Sequence, residues 1–402
     1  MSALCSLFFL LALLWFNPSL FRPEYVIVMI GILVGTVRGR SSLVRIFHKE
    51  LGLLIALAVA GCATVGAQIL SGGAFIWRDL MVTLMLGYYA GVIIFASMAS
   101  GKTMNYKGVW MFSLGLSVVI TVISIFQYFN LLSINSFMLP SSGAAELLRE
   151  GVFWKRAVGT IGNPNYWGFV ISVALALITY MVFWQGRLLY LPLFLGLLVS
   201  LILTGSRSAL ICWVSGTVIG GIVVAFIMKE TPRVGVSVVA TLVLVIGVFG
   251  LELSAYYENK ERFSVANVET LVGRMNVWEQ AWQTTTQDFR TFLLGQGPRK
   301  GIDTLHWGDN SYVKIFRDYG AVSLGLYLSL LWVMLKRTIR HARTQSGDGK
   351  VWTIVLLVVL IQWCIFELSA DTWFFVRVSA PVLALYAFVI AKTENFDNPL
   401  KA

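Results

Sequence analysis

The sequence predicts an all-α, polytopic membrane protein with one long, partly helical loop outside the bilayer. Hydrophobic residues make up 57% of the 402 residues and charged residues 13%, about half the roughly 25% charge of average soluble domains. Apolar runs of about 20 residues recur along the chain, and each can cross a bilayer as a helix that satisfies its own backbone hydrogen bonds. We therefore expect a single transmembrane helical domain over residues 1–402, with the lipid bilayer as its surroundings.

About twelve spans are expected if each crossing needs roughly 20 apolar residues. They cover residues 2–21, 24–37, 51–70, 80–99, 109–132, 166–184, 188–204, 207–228, 234–254, 319–335, 351–368 and 373–391. The first run lacks the basic start and the small-residue cleavage site of a signal peptide, and another apolar segment follows it at once. We therefore interpret it as a span.

Lysine and arginine are unequally shared between alternate loops, which predicts the orientation. The rich set comprises Arg38, Arg40, Arg45, Lys49, Lys102, Lys107, Arg187, Lys229, Arg233, Lys336, Arg337, Arg340, Arg343 and Lys350. The poor set comprises Arg22, Arg78, Arg149, Lys155, Arg156 and Arg377. The rich loops, and with them both termini, are expected to be cytoplasmic. A net charge of +11 then reflects topology, and no nucleic-acid partner is expected.

The one long polar segment, residues 255–318, joins spans nine and ten and therefore faces outward. Within it Leu271, Met275, Trp278 and Trp282 recur at helical spacing, which predicts an amphipathic helix on the outer face.

The same topology brings three further polar clusters to the outer side, next to apolar runs. They are Asn163-Pro164-Asn165 at the start of span six, Ser206-Arg207-Ser208 between spans seven and eight, and Glu367 with Asp371 between spans eleven and twelve. Polar groups at membrane depth are costly to bury, so they mark candidate functional sites.

Two arginines are candidate phosphate ligands, because the guanidinium group is a fixed, always charged fork. Arg207 is surrounded by small polar residues that can line a site, although a lone arginine at a span end is also typical of an interfacial anchor. Arg274 lies one helical turn before Trp278 and can stack on it. An ordinary solvated arginine is an equally good interpretation there.

Asp309 precedes the helical pattern that opens span ten. It is a candidate general base, or a group that orients an acceptor hydroxyl, while a helix N-cap is the plainer interpretation. His306 is a rival base. Asn163-Pro164-Asn165 indicates a helix start with proline at its first position, and its side chains can also bind a sugar. Glu367 and Asp371 share a face if their helix continues; they can be acids of a site, a cation pair or the end of a span.

No metal-ligand spacing and no nucleotide-binding motif occurs, so no cofactor and no metal is expected. All four cysteines lie inside apolar runs. The energy for any reaction then comes from the substrate itself or from a gradient.

Four motifs in this order resemble the O-antigen polymerase and ligase family of bacterial inner-membrane glycosyltransferases. They are NPN at Asn163, SRSA at Ser206, GR-x3-W-x3-W at Gly273 followed by a G-x-G, and DN-x-Y-x7-G at Asp309. The match runs from about residue 159 to 327. The ligase branch has a histidine where this chain has Asp309, so the sequence is more similar to the polymerase branch.

The resemblance implies a glycan donor on undecaprenyl pyrophosphate, a lipid-linked acceptor, an active site in the periplasmic loop and, as a further partner, a chain-length regulator. It implies that Arg207 and Arg274 bind the pyrophosphate, with Asp309 completing the catalytic set and inversion at the anomeric carbon. The substrate-binding candidates are Asn163, Asn165, Ser206, Trp278, His306, Asn310, Tyr312 and Glu367. The alternatives are a ligase that transfers the glycan to lipid A–core and a transporter of lipid-linked sugars, for which symmetric halves would be expected.

Overall fold

The fold is helical wherever the computed structural model describes the chain. The described residues are 46–70, 85–97 apart from 87 and 95, 106–135, 156–228, 260–297, 310–371, 373 and 376–397. These ranges contain no strand, and six of their helices are long and apolar enough to cross a membrane. The all-α class is confirmed. The total of about twelve spans stays a prediction, since the spans expected at 2–21, 24–37 and 234–254 lie outside the described residues.

Ten α-helices have defined bounds in the described ranges, and most coincide with predicted spans. They are α1 His48–Leu70, α2 Tyr106–Phe129, α3 Pro164–Thr179, α4 Leu191–Thr204, α5 Arg207–Met228, α6 Lys260–Thr285, α7 Phe289–Leu294, α8 Ser311–Thr344, α9 Gly347–Phe366 and α10 Val376–Asp397. A π-helical turn at Tyr180–Trp184 extends α3, and 3₁₀ turns occur at Leu131–Ser133 and Leu188–Tyr190. The described part of the fourth predicted span is also helical.

Helices α3 and α9 form the centre of the bundle. In their most apolar stretches 72% and 78% of the residues are buried, against 28% in α1 and in α2. Helix α9 packs against α5, α8, α10 and α3. Glycines make the contact with α5 close: a Cβ on Gly216 would lie 2.2 Å from Gln362, and one on Gly220 would lie 2.7 Å from Val358. Small residues allow such close approach of helix backbones within a membrane.

Helix α8 bends at Gly320, where φ is 77° and ψ is −178°. Such a bend interrupts the helical hydrogen bonds of the preceding turn. The segment after α7 replaces them, because the amide of Gln296 donates to the Arg317 carbonyl at 2.8 Å and that of Gly297 donates to the Asp318 carbonyl at 2.9 Å. These hydrogen bonds join residues 296 and 297 of the long loop to the turn that precedes the bend.

The fit at this bend leaves no room for side chains. A Cβ on Gly295 would lie 2.4 Å from the Tyr319 nitrogen, and one on Gly320 would lie 2.2 Å from the Leu293 oxygen. Helix α1 holds the same segment from the other side, since the Thr64 hydroxyl donates to the Leu294 carbonyl at 2.7 Å. The G-x-G and the last glycine of DN-x-Y-x7-G therefore meet in the fold.

The two ends of the bundle carry separate polar clusters. At what we call the loop end, α3, α5 and α8 begin and α9 ends. At the opposite end Arg337 bridges Glu50, at 2.8 Å, and Glu394. The Tyr386 hydroxyl donates to Glu50 at 2.5 Å. This buried network ties α1, α8 and α10 together on the side where the basic loops are expected.

Cysteine labelling of intact cells tests the predicted orientation. We expect a Gln287→Cys variant, at an exposed position between α6 and α7, to react with a membrane-impermeant maleimide. A Ser346→Cys variant, exposed before α9, should react only after the membrane is permeabilised. The unmodified chain gives the background from its own cysteines. The reverse pattern would overturn the assignment of the basic loops to the cytoplasm.

A glycine pair on α8 tests the bend. A Gly320→Ala substitution should destabilise the protein by about 1–3 kcal/mol, because its backbone conformation is essentially restricted to glycine, with a further cost from the clash with Leu293. Gly325→Ala on the same helix is the control, since nothing lies within 4 Å of its added Cβ; it should leave stability unchanged or raise it by up to about 1 kcal/mol. Thermal unfolding in detergent measures both, and equal midpoints would contradict the bend.

Candidate functional site

Most candidate residues that the structure describes lie at the loop end. The starts of α3 and α5 touch, because a Cβ on Gly168 would lie 3.1 Å from the Cβ of Ser206. The start of α8 touches the end of α9, where the Ser311 amide donates to the Glu367 carbonyl at 2.9 Å. The polar clusters that contain Asn163, Arg207, Asn310 and Glu367 therefore lie together at one end of the bundle. Asp309 and His306 lie outside the described residues, so their candidacy as bases stays a prediction.

Arg156 and Arg207 are neighbours at this end. Arg156 is half-buried and donates from Nε to the Thr204 carbonyl at 2.6 Å and from Nη2 to the Gly205 carbonyl at 2.8 Å. These carbonyls are at the end of α4, where the helix dipole favours a cation. Burial, and secondly the charge of Arg207, lower the pKa of Arg156. Two close guanidiniums, one of them the exposed Arg207, form a cationic surface that suits an anion.

Arg156 was missed as a candidate because the sequence shows it only as one loop charge among several. The position of Arg156 depends on hydrogen bonds between the buried side chain of Gln127 and the backbone that follows Arg156. The Gln127 side chain accepts from the Val158 and Gly159 amides at 3.2 and 2.7 Å and donates to the Gly159 carbonyl at 3.0 Å. Gly159 also packs directly against the Trp167 ring. No motif or helical periodicity in the sequence links position 127 to position 156.

Two asparagines cap the helices that begin here. The Asn163 side chain accepts from the amides of Asn165 and Tyr166, and proline occupies the first helical position as predicted. The Asn310 side chain accepts from the amides of Tyr312 and Val313. The cap of α8 is thus Asn310, and the plainer interpretation of Asp309 as the cap was wrong by one residue, because the following asparagine supplies the oxygen.

Glu367 and Asp371 have different surroundings. Helix α9 ends at Phe366, so the condition for a shared helical face, a helix that continues to Asp371, is not met. Glu367 is fully buried and accepts a hydrogen bond from the Tyr327 hydroxyl. Tyr312 is directed into the same region, where its hydroxyl donates to the Cys364 carbonyl at 2.9 Å. Both Glu367 and Tyr312 therefore pack and form hydrogen bonds in the protein interior beneath the loop end.

The Asp371 carboxylate, by contrast, is a quarter exposed and joins two helix starts. The Tyr166 hydroxyl of α3 donates to Oδ1 at 2.5 Å, and Lys314 Nζ of α8 donates to Oδ2 at 2.6 Å. Tyr166 and Lys314 were not among the site residues predicted from the sequence, although both lie in the first turns of helices that begin at the predicted outer side. Their shared partner is visible only in three dimensions.

The predicted helix of the long loop is present as α6 and packs against α8. Trp282 stacks on Phe316 with ring centroids 5.2 Å apart. Arg274 and Trp278 are half-buried, whereas Met275 and Trp282 remain 57% and 60% exposed. The apolar stripe of this helix is therefore only partly covered and keeps flat, open faces beside the start of α8.

Comparisons with known proteins add no identification. No model of a protein family matches the sequence, and a search of curated proteins finds no significant match. Within the described ranges, no group of three or more histidine, cysteine, aspartate or glutamate side chains is arranged to hold a metal ion. The described residues therefore define a class, a helical protein with six helices long and apolar enough to cross a membrane and a polar cluster at the loop end.

Proposed function

We propose that the protein is a glycosyltransferase of the O-antigen polymerase type in the bacterial inner membrane. It joins repeat units carried on undecaprenyl pyrophosphate, at the periplasmic face. The observation that carries the proposal is the pair of neighbouring guanidiniums, Arg156 and Arg207, at the end of the bundle to which the long loop is fastened. The charge of Arg207 acts on Arg156, and a surface with two guanidinium groups suits an anion such as phosphate.

The pyrophosphate of a lipid-linked donor matches this surface. Arginine forks bind phosphate oxygens in pairs. Helices α3 and α5 also begin at this end, so each adds the positive end of its helix dipole. As the bond between the anomeric carbon and the pyrophosphate oxygen breaks, negative charge develops on the leaving group. Fixed cations stabilise that charge, which is usually the largest contribution to catalysis. The donor is already activated, so no nucleotide is required.

The remaining site residues are assigned to the sugars. In this proposal Arg274 reaches the pyrophosphate from α6, and the partly open Trp278 and Trp282 offer flat apolar faces to the sugar rings. Asp309 orients or deprotonates the attacking hydroxyl. Direct attack inverts the configuration of the anomeric carbon. The long loop covers the site from outside, and the bilayer admits the isoprenoid chain from the side.

Arginine variants test the proposal in cells. Arg207→Ala and Arg274→Ala should leave the protein folded and abolish the ladder of long glycans on a lipopolysaccharide gel. The loss of one such electrostatic contact is expected to slow transfer by about 10²–10³-fold. Arg187→Ala is the matched control, because Arg187 is exposed beyond the far end of α3, and its ladder should be unchanged. A normal ladder in either test variant, with normal protein levels, would refute the assigned role.

The ligase alternative differs in the acceptor. It is favoured by the ligase-like spacing between position 309 and Gly320, the glycine at which α8 bends. A deletion strain separates the two activities. A strain without the polymerase should retain a single repeat unit on its lipid A–core, whereas a strain without the ligase should show none there and accumulate lipid-linked polymer. The gel pattern of the deletion strain, restored by the wild-type gene, decides between them.

A further inference from the structure

Asp371 lies between the starts of α3 and α8 with both carboxylate oxygens engaged, yet it is not sealed in the core. Its side chain is 25% exposed and that of Lys314 is 24% exposed. A carboxylate oxygen can accept two hydrogen bonds, and Tyr166 and Lys314 supply one to each oxygen. Each oxygen therefore keeps one acceptor position, and a ligand at the loop end can reach it.

The surroundings hold this carboxylate in place. Lys314 provides a direct counter-charge at 2.6 Å. Tyr166 and Lys314 belong to the first turns of α3 and α8, whose positive dipole ends also favour an anion. The Asp371 carboxylate is a strong acceptor, and the Lys314 ammonium beside it carries three N–H donors. Neighbouring hydroxyls of a sugar require that combination, because each hydroxyl both donates and accepts.

A purely structural role explains these features less well. The ion network at the opposite end has a Glu50 side chain that is only 1% exposed, as expected of a packing element. Ion pairs as exposed as Lys314–Asp371 contribute only about 0–1 kcal/mol to stability. Glu367, the other acid of this connection, is sealed in the core. Asp371 is therefore the acid of this pair that a substrate can contact.

We infer that Asp371, held by Tyr166 and Lys314, is the binding subsite for hydroxyl groups of the acceptor sugar. The inference rests on the proposed glycosyl transfer and adds to it a binding site for the acceptor sugar. The arginine surface holds the donor pyrophosphate, while the Asp371 carboxylate accepts a hydrogen bond from the acceptor sugar and Lys314 donates one to a neighbouring hydroxyl. Donor and acceptor are thereby assigned to different side chains of the loop end.

Purified full-length protein in detergent tests this assignment with two probes. Lipid-linked repeat units serve as donor and acceptor for polymerisation, and sugar-free undecaprenyl pyrophosphate reports donor binding alone. Asp371→Asn should lower the polymerisation rate at limiting repeat unit by about 10- to 100-fold, the loss of hydrogen bonds to a charged group. Its affinity for undecaprenyl pyrophosphate and its thermal midpoint should stay at wild-type values, whereas Arg207→Ala should lose that affinity.

Controls separate the possible failures. Asp348→Asn, an exposed acid at the other end of α9, should polymerise normally, and Tyr166→Phe should share the defect of Asp371→Asn in milder form. Wild-type polymerisation rates in Asp371→Asn would overturn the inference, as would an equal loss of undecaprenyl pyrophosphate binding or a lowered midpoint in both Asp371→Asn and Tyr166→Phe. If the wild-type protein itself forms no polymer, the proposed function fails instead.

Discussion

The loop end depends on how the backbone of α8 is satisfied where it bends. Carbonyl groups that lose their helical partners beside a membrane cannot rely on water, and leaving them unpaired costs several kcal/mol. Here the amides of Gln296 and Gly297 donate hydrogen bonds to the carbonyls of Arg317 and Asp318. Residues 296 and 297 of the long loop thereby complete the hydrogen bonding of a helix that is long and apolar enough to cross a membrane. That bonding fixes α6 and the first turns of α8 relative to the rest of the bundle.

The sequence predicted features that depend on local pattern. Apolar run length located the described spans, and Asn163-Pro164 marked a helix start that the structure confirms. The span predicted at 319–335 proved to be part of a longer helix, Ser311–Thr344. Lys314, Arg317 and Asp318 lie before the apolar run, in the part of α8 that precedes the bend at Gly320. Hydropathy thus located the apolar part of α8, and capping chemistry located its beginning.

Features that depend on distant partners were not predictable in this way. Arg156 is placed by carbonyl groups some fifty residues away, and Asp371 by side chains of two other helices. In sequence, Glu367 and Asp371 were equivalent acids four residues apart. A helix that ends at Phe366 sends one into the core and leaves the other at the surface. Periodicity describes a single helix, whereas these positions follow from how several helices meet.

The glycine contact between α5 and α9 has a consequence for how the loop end is built. Helix α5 begins with Arg207, and α9 ends shortly before Asp371. Gly216 and Gly220 have no side chains of their own, so Gln362 and Val358 of α9 pack directly against the α5 backbone. A tightly packed interior transmits displacements instead of absorbing them. The contact between α5 and α9 in the middle of the bundle therefore sets the spacing between Arg207 and Asp371 at the loop end.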